Sequence, residues 1–185
     1  MEWFYMWYRN TVIAEKHTSV IVALWLPDDK SGKLVLNKKD IDENSKIEPK
    51  ESLHITLLYV GKADALKSKK KLIETALETF ATKYKAIKGK VGGIGCFAGD
   101  GETKPFYASY DSPDLPEMRQ ELVSIMESLG IELDKTHGFT PHISLAYLAD
   151  KSELPSITIP EMSLNFDKLT LAWAGEQIHY DFSGK

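Results

Sequence analysis

One five-residue pattern (apolar or Pro, His, Ile, Ser/Thr, Leu) occurs twice in this chain. Leu53-His54-Ile55-Thr56-Leu57 in the first half is matched by Pro141-His142-Ile143-Ser144-Leu145 in the second. Each copy offers an imidazole and, two residues on, a hydroxyl. Imidazole titrates near neutral pH, with an ordinary pKa of about 6.5. A pair of rings can therefore hold one neutral, ready to take a proton, and one protonated, ready to give one. Breaking a phosphodiester with an attacking oxygen needs both: a group to deprotonate the attacking oxygen and a group to protonate the leaving one. Each role typically contributes about 10²–10⁴-fold. The hydroxyls of Thr56 and Ser144 can donate to the non-bridging phosphate oxygens as negative charge moves onto them. This chemistry requires no metal. One His-x-Thr on a strand is an ordinary half-buried histidine. Two copies with matching flanks, one per half, are much harder to obtain by accident.

The pair works only if the fold brings the two words together. In a strand, successive side chains face opposite ways. His54 and Thr56 then share one face, and Ile55, Leu57 and Tyr59 the other. His142 and Ser144 oppose Ile143, Leu145 and Tyr147 in the same way. The apolar faces suit amphipathic helices, and the polar faces are then free to look into a common groove. Two such helices are predicted. Leu66, Ile73, Leu77, Phe80 and Tyr84 mark one face of a helix of about five turns starting at Asp64. Its lysines, Lys67, Lys69, Lys70 and Lys71, read as a solvated face diluted by Glu74 and Glu78. Leu115, Met118, Leu122, Ile125 and Leu129 mark the second helix. Ser112 or Asp114 caps it, Pro113 or Pro116 lies in its first turn, and Gly130 ends it.

The remaining segments read as strands. They are Thr18 to Leu26, Leu53 to Val60 (stopped by Gly61), and a bent, glycine-rich Ala86 to Phe97. After an Asp100-Gly101 turn come Pro105 to Tyr110, Phe139 to Leu148, a short Ile157 to Ile159, Phe166 to Trp173, and Gln177 to Phe182. Lys30 to Lys50 is mostly polar and reads as irregular, with one short helical turn at most. The order is β-β-α-β-β, then α-β-β-β. That is an α+β chain with one mixed or antiparallel sheet per half and helices on the outer faces.

Composition bounds the function. At 185 residues and 43% apolar, the chain suits one domain or two small ones and is too apolar for wholesale disorder. The single cysteine, Cys96, rules out an intramolecular disulfide and a cysteine-rich zinc site. A net charge of −4 argues against tracking long nucleic acid, but leaves room for a local pocket for a small phosphate ligand. No apolar run approaches the roughly 20 residues that span a bilayer, and the start lacks the features of a signal peptide. A cytoplasmic protein without membrane contact is expected. The aromatic start, with Trp3, Phe4, Tyr5, Trp7 and Tyr8, reads as a segment packed on the domain, a ligand-stacking flap or a dimer contact.

Other residues weigh less. His17-Thr18-Ser19 spells His-x-Ser, but Lys16 precedes it and Thr18 breaks the apolar frame, so His17 reads as the start of a strand. His137 lies in a polar linker, and His179 reads as structural. No His-Glu-x-x-His or similar spacing points to a metal. Cys96, among glycines, reads as a small buried residue and not a nucleophile. A nucleotide would also need stacking and charge. Tyr107, Phe106, Trp7, Tyr8 and Trp25 are candidates for stacking, and Lys104 and Lys135 for phosphate contacts.

The repeated word, with the stretches HTSVIVALWLP, LHITLLYVG and FTPHISLAYL, resembles the 2H phosphoesterase superfamily, and especially its phage-associated branch. This is the LigT-like group that includes 2′-5′ RNA ligase-like proteins and cyclic phosphodiesterases. The resemblance runs roughly from Thr18 to Phe182. Ser144 stands where many members have Thr, and the hydroxyl is kept. The resemblance implies two pseudo-symmetric lobes around a central groove in a single domain over residues 1–185, with 1–17 as an N-terminal addition. It implies His54 and His142 as the acid–base pair and Thr56 and Ser144 as phosphate binders, with no cofactor. It leaves open which histidine is the base. It implies a phosphodiesterase acting on 3′-5′ or 2′-5′ bonds of a small nucleotide or cyclic oligonucleotide. Its phage flavour points to an enzyme that degrades a host defence signal, as anti-CBASS enzymes do. The alternatives are a 2′,3′-cyclic phosphate hydrolase or 2′-5′ RNA ligase-like enzyme on RNA ends, and a non-catalytic nucleotide-binding module. A monomer is expected, with a weak dimer as the alternative. The N-terminus and the Lys30 to Lys50 segment lie outside the common core and are the expected seats of substrate specificity.

Overall fold

A computed structural model describes residues 18–99, 101–134 and 138–184. The strands among them are β1 (Ser19–Trp25), β2 (Lys46–Ile47), β3 (His54–Lys62), β4 (Ile87–Cys96) and β5 (Thr103–Asp111). They continue with β6 (His142–Ala149), β7 (Met162–Phe166), β8 (Lys168–Trp173) and β9 (Glu176–Asp181). The two long helices are α1 (Lys70–Ala81) and α2 (Leu115–Ser128). The strands form one curled antiparallel sheet in the order β7-β4-β5-β6-β3-β1-β8-β9, with β2 added beside β6. The protein is α+β, as expected.

The two halves of the sheet are not the two halves of the chain. The C-terminal hairpin β8–β9 pairs with β1, and β4–β5 pairs with β6. The halves of the sheet meet where β3 lies beside β6, at the single register pair Ile55 with Ile143.

Apolar packing fixes which way these strands face. Ile55, Leu57, Ile143 and Leu145 are buried in one core with Ile73, Leu77 and Phe80 of α1 and Met118 and Leu122 of α2. α1 packs on β8 and β9, and α2 on β3. Each such side chain contributes about 1.5–3 kcal/mol on burial. A single hydrogen bond contributes about 0.5–1.5 kcal/mol. The isoleucines and leucines therefore set the strand faces, and His54, Thr56, His142 and Ser144 are carried to the opposite face.

Strict alternation then breaks, at the same place in both copies. Val22 pairs with Leu58 and Ala23 with Thr56, so Leu57 is passed over. Phe106 pairs with Ala146 and Tyr107 with Ser144, so Leu145 is passed over. Each leucine is the extra residue of a β-bulge, which reverses the phase of the strand beyond it. Tyr59 and Tyr147, expected on the helix side, thus share the face of the histidines instead.

Several other expectations are corrected. The helix from Asp64 is not continuous: a single turn over Ala63–Leu66 and a 3-10 turn over Lys67–Lys69 precede α1, and Tyr84 lies beyond its end. The lysines there do more than face solvent. Lys69 Nζ donates to the carbonyls of Leu129 (2.7 Å) and Gly130 (2.6 Å) at the C-terminal end of α2, where a cation is favoured. Lys70 pairs with Glu176 at 2.9 Å and lies over the Trp173 ring. Gly61, at φ 145°, does not stop β3 but sits inside it beside a second register shift. Ile157–Ile159 forms no strand, since Met162–Phe166 takes the edge beside β4. The single strand expected over Phe166 to Trp173 is two, because the chain crosses at Asp167 from the β4 edge to β1.

Candidate active site

The β3–β6 seam builds the site. Extending the Ile55–Ile143 pair by one residue each way puts His54 opposite Ser144 and Thr56 opposite His142. Each imidazole thus faces the hydroxyl of the other copy. All four side chains line one cleft of about 190 Å³.

The rings are oriented alike. His54 Nδ1 lies 2.6 Å from the carbonyl of Ser52, and His142 Nδ1 lies 2.7 Å from that of Thr140. A carbonyl only accepts, so Nδ1 carries the hydrogen in both rings and Nε2 is left for the substrate. Burial lowers both pKa values below the ordinary 6.5. The carbonyl bonds oppose that fall, and at His54 the charge of His142 adds to it. Both rings are therefore neutral in the free protein near pH 7.

Aromatic neighbours differ between the two. Trp25, paired with His54 across β1–β3, stacks on it at 4.5 Å between centroids and 16° between planes. The Trp25 indole N–H donates to the Glu51 carbonyl at 3.1 Å. The 3-10 turn Lys50–Ser52 thus supplies the carbonyls that hold both rings. His142 instead meets Phe97 edge-on at 4.8 Å and Tyr107 at 5.3 Å, and Phe97 and Tyr107 stack at 4.4 Å.

Residues 40–177 match the 2′-5′ RNA ligase superfamily. The chain belongs to that superfamily, the 2H phosphoesterases. Solved structures agree on the fold. TT0787 of Thermus thermophilus is 18% identical, with TM-score 0.69, over 90% of this chain and 99% of that one. E. coli LigT complexed with 3′-AMP is 21% identical, with TM-score 0.60, over 89% and 94%. Kluyveromyces marxianus Usb1 is 13% identical, with TM-score 0.55, over 91% and 100%. No curated protein matches the sequence significantly.

The remaining candidates of this 2H phosphoesterase fall in different places. Tyr107 stands against His142. Lys104 does not line the cleft; its Nζ donates to the carbonyls of Asp150 (2.9 Å) and Ser152 (2.6 Å), tying down the turn after β6. Phe106 is buried in the core. Trp7, Tyr8, Lys135, His17 and His137 lie outside the described residues. His179 shares a hydrogen bond with Thr170 Oγ1 at 2.9 Å. Cys96 ends β4 and does not line the cleft, and burial pushes its thiol pKa up. Among the described residues, no group of three or more His, Cys, Asp or Glu comes together as metal ligands would.

Among the cleft-lining residues that sequence reasoning missed are Glu48, Tyr147 and Gln177. The signal for Tyr147 was present as the doublet Leu145-Ala146, two successive apolar residues that interrupt alternation. Glu48 carried no signal, because the two-residue β2 that places it has no pattern to read. Its carboxyl is pushed up to about 6 by burial, with Lys46 opposing.

Proposed function

We propose that the protein is a metal-independent phosphodiesterase of small nucleotides, with His54 and His142 as its acid–base pair. The observation that carries this reading is the crossed seam: two Nε2 atoms and two hydroxyls, from matched sequence words, face one cleft. Where the substrate has a ribose 2′-hydroxyl beside the scissile phosphate, Nε2 of one neutral histidine removes its proton as the oxygen attacks phosphorus. The other histidine, protonated, gives its proton to the departing 5′-oxygen. The products are a 2′,3′-cyclic phosphate and a free 5′-hydroxyl. Hydrolysis of that ring reverses the roles, with water as the attacking group. Thr56 and Ser144 donate to the non-bridging oxygens throughout.

Burial keeps both rings neutral before substrate arrives. The anionic phosphodiester itself favours the protonation of one ring. Within the class, we place cyclic oligonucleotides that serve as host defence signals first, supported by the resemblance to the phage-associated branch. A second reading, action on 2′,3′-cyclic phosphates or 2′-5′ linked RNA ends, is supported by the superfamily and by the 3′-AMP complex of E. coli LigT. A product assay separates them. Cyclic dinucleotides, cyclic trinucleotides, 2′,3′-cyclic mononucleotides and 2′-5′ oligoadenylates are each incubated with the protein, with and without EDTA. Cleavage that survives EDTA is expected. Activity abolished by the chelator overturns the metal-free mechanism, and nucleotide binding without product on any substrate indicates a binding module instead.

A further inference from the structure

The histidines and hydroxyls account for a phosphate in the cleft. They do not account for a carboxylate beside it. Glu48 follows β2, and its N–H donates to the Leu145 carbonyl at 2.9 Å, extending the ladder in which Lys46 faces Tyr147 and Ile47 faces Ala146. Alternation gives Glu48 the face of Lys46 and Tyr147, and both Tyr147 and Glu48 line the cleft. Its backbone is therefore held beside the strand that carries His142 and Ser144.

A carboxylate repels phosphate, so this one weakens anion binding unless it meets something else on the same ligand. It accepts hydrogen bonds and donates none when ionised. Among the described residues, burial and the charge of Lys46 are what act on it, and no hydrogen-bond donor engages it. Its partial burial leaves it poorly solvated, which a donor from a ligand would relieve. A nucleoside offers such donors in its ribose hydroxyls and base N–H groups.

We propose that Glu48 is a specificity-determining residue that accepts a hydrogen bond from a neutral donor on the nucleoside next to the scissile phosphate. This rests on the nucleotide phosphodiesterase reading and adds what the cleft recognises besides phosphate. Sites built to bond a substrate donor can reject analogues lacking it by about 10⁴–10⁵-fold.

The test measures binding of two probes, inorganic phosphate and a series of nucleoside 3′-monophosphates, to wild type, Glu48→Ala and Glu48→Gln by calorimetry. Thermal melts check folding, and the near-isosteric Gln variant keeps the test informative where Ala fails to fold. Both variants should bind inorganic phosphate severalfold more tightly, because a repelling charge is gone. Glu48→Ala should bind nucleotide at least tenfold more weakly, and Glu48→Gln should fall between. A loss that differs between bases and persists with deoxyribose assigns the donor to the base. A loss shared by all bases but absent with deoxyribose assigns it to the sugar. An equal tightening of both probes, or no change in either, overturns the proposal. Binding is read without turnover, so a wild-type protein that prefers nucleotide over phosphate yet cleaves nothing refutes the phosphodiesterase reading separately.

Discussion

Trp25 lies flat on His54, 4.5 Å away and within 16° of parallel, while among the described residues no ring stacks so on His142. The same turn holds both rings, through the Glu51 carbonyl to Trp25 and the Ser52 carbonyl to His54. The two matched words are thus placed in unmatched surroundings. His54 is shielded by a parallel indole and feels the charge of His142, while His142 rests against the edge of Phe97 and the tilted ring of Tyr107. Pseudo-symmetric strands can in this way give two histidines different work.

Trp25→Ala removes the shield. Burial is the largest cause of the lowered His54 pKa, so that pKa should rise toward its ordinary value. Histidine NMR titration should show the rise at His54 and little change at His142. The limb of the pH–rate profile that His54 governs should move to higher pH with it. Trp25→Phe keeps a ring but loses the Glu51 bond and should fall between. An unchanged His54 titration in Trp25→Ala refutes the shielding argument.

Single replacements of the two cleft histidines should be severe and non-additive. His54→Ala and His142→Ala should each lower turnover by about 10²–10⁴-fold. The double variant should be little worse than the poorer single one, because a proton relay fails when either end is lost. Circular dichroism and melting should show folded proteins. Independent, multiplying losses would mean that the two rings do not act in one step.

Much of this site was legible in the sequence. The repeated His-Ile-Thr/Ser-Leu word named all four residues of the seam, and the apolar periods found β1, β3, β6 and α2 to within a few residues. What failed has physical causes. Alternation reads only until a bulge, so Tyr59 and Tyr147 were assigned to the wrong face, although the doublets Leu57-Leu58 and Leu145-Ala146 announce the slip. Pairing is non-local, so the exchange of hairpins between chain halves could not be seen from element order. Glu48 sits on a two-residue strand held by its partner, and such a strand has no pattern of its own.

The ionisations at the cleft oppose each other in their effect on stability. His54 and His142 have lowered values in the folded state, so their contribution is full above about pH 6.5 and is lost as pH falls. Glu48 is raised from 4.5 to about 6, so its contribution is full below pH 4.5 and is lost as pH rises through 6. Glu48→Gln should therefore be more stable than wild type at pH 7.5, by about 1–2 kcal/mol, with the gap closing toward pH 4.5. Urea melts across this range measure it. A gap that is constant with pH would show that Glu48 ionises in the folded protein as it does in the unfolded chain.

Anion binding should draw in protons. Both rings are neutral in the free protein near pH 7, and an anion at their Nε2 atoms favours the protonated form. Sulfate does not titrate in this range, so calorimetry of sulfate binding in buffers of different ionisation enthalpy isolates the protein's share. Net proton uptake at pH 7 is the expected result, reduced in His54→Ala and in His142→Ala. Heats independent of buffer would place the anion away from the pair.

Gly95 supports His142 from a distance. A Cβ at this position would lie 2.6 Å from both Cζ and Oη of Tyr107, closer than real Cβ contacts allow. The Tyr107 ring cannot yield freely, because Phe97 stacks on it at 4.4 Å and His142 lies 5.3 Å away. Gly95→Ala should displace the ring and, through it, His142. Misplacing a catalytic group by about 1 Å can cost about 10²-fold, so turnover should fall by about 10–100-fold in a folded protein. The decisive measurement is a double-mutant cycle with Tyr107→Ala. If the glycine acts by leaving room for Tyr107, adding Gly95→Ala to Tyr107→Ala costs little further activity. If the losses add in full, Gly95 acts on the strand itself and the route through Tyr107 is wrong.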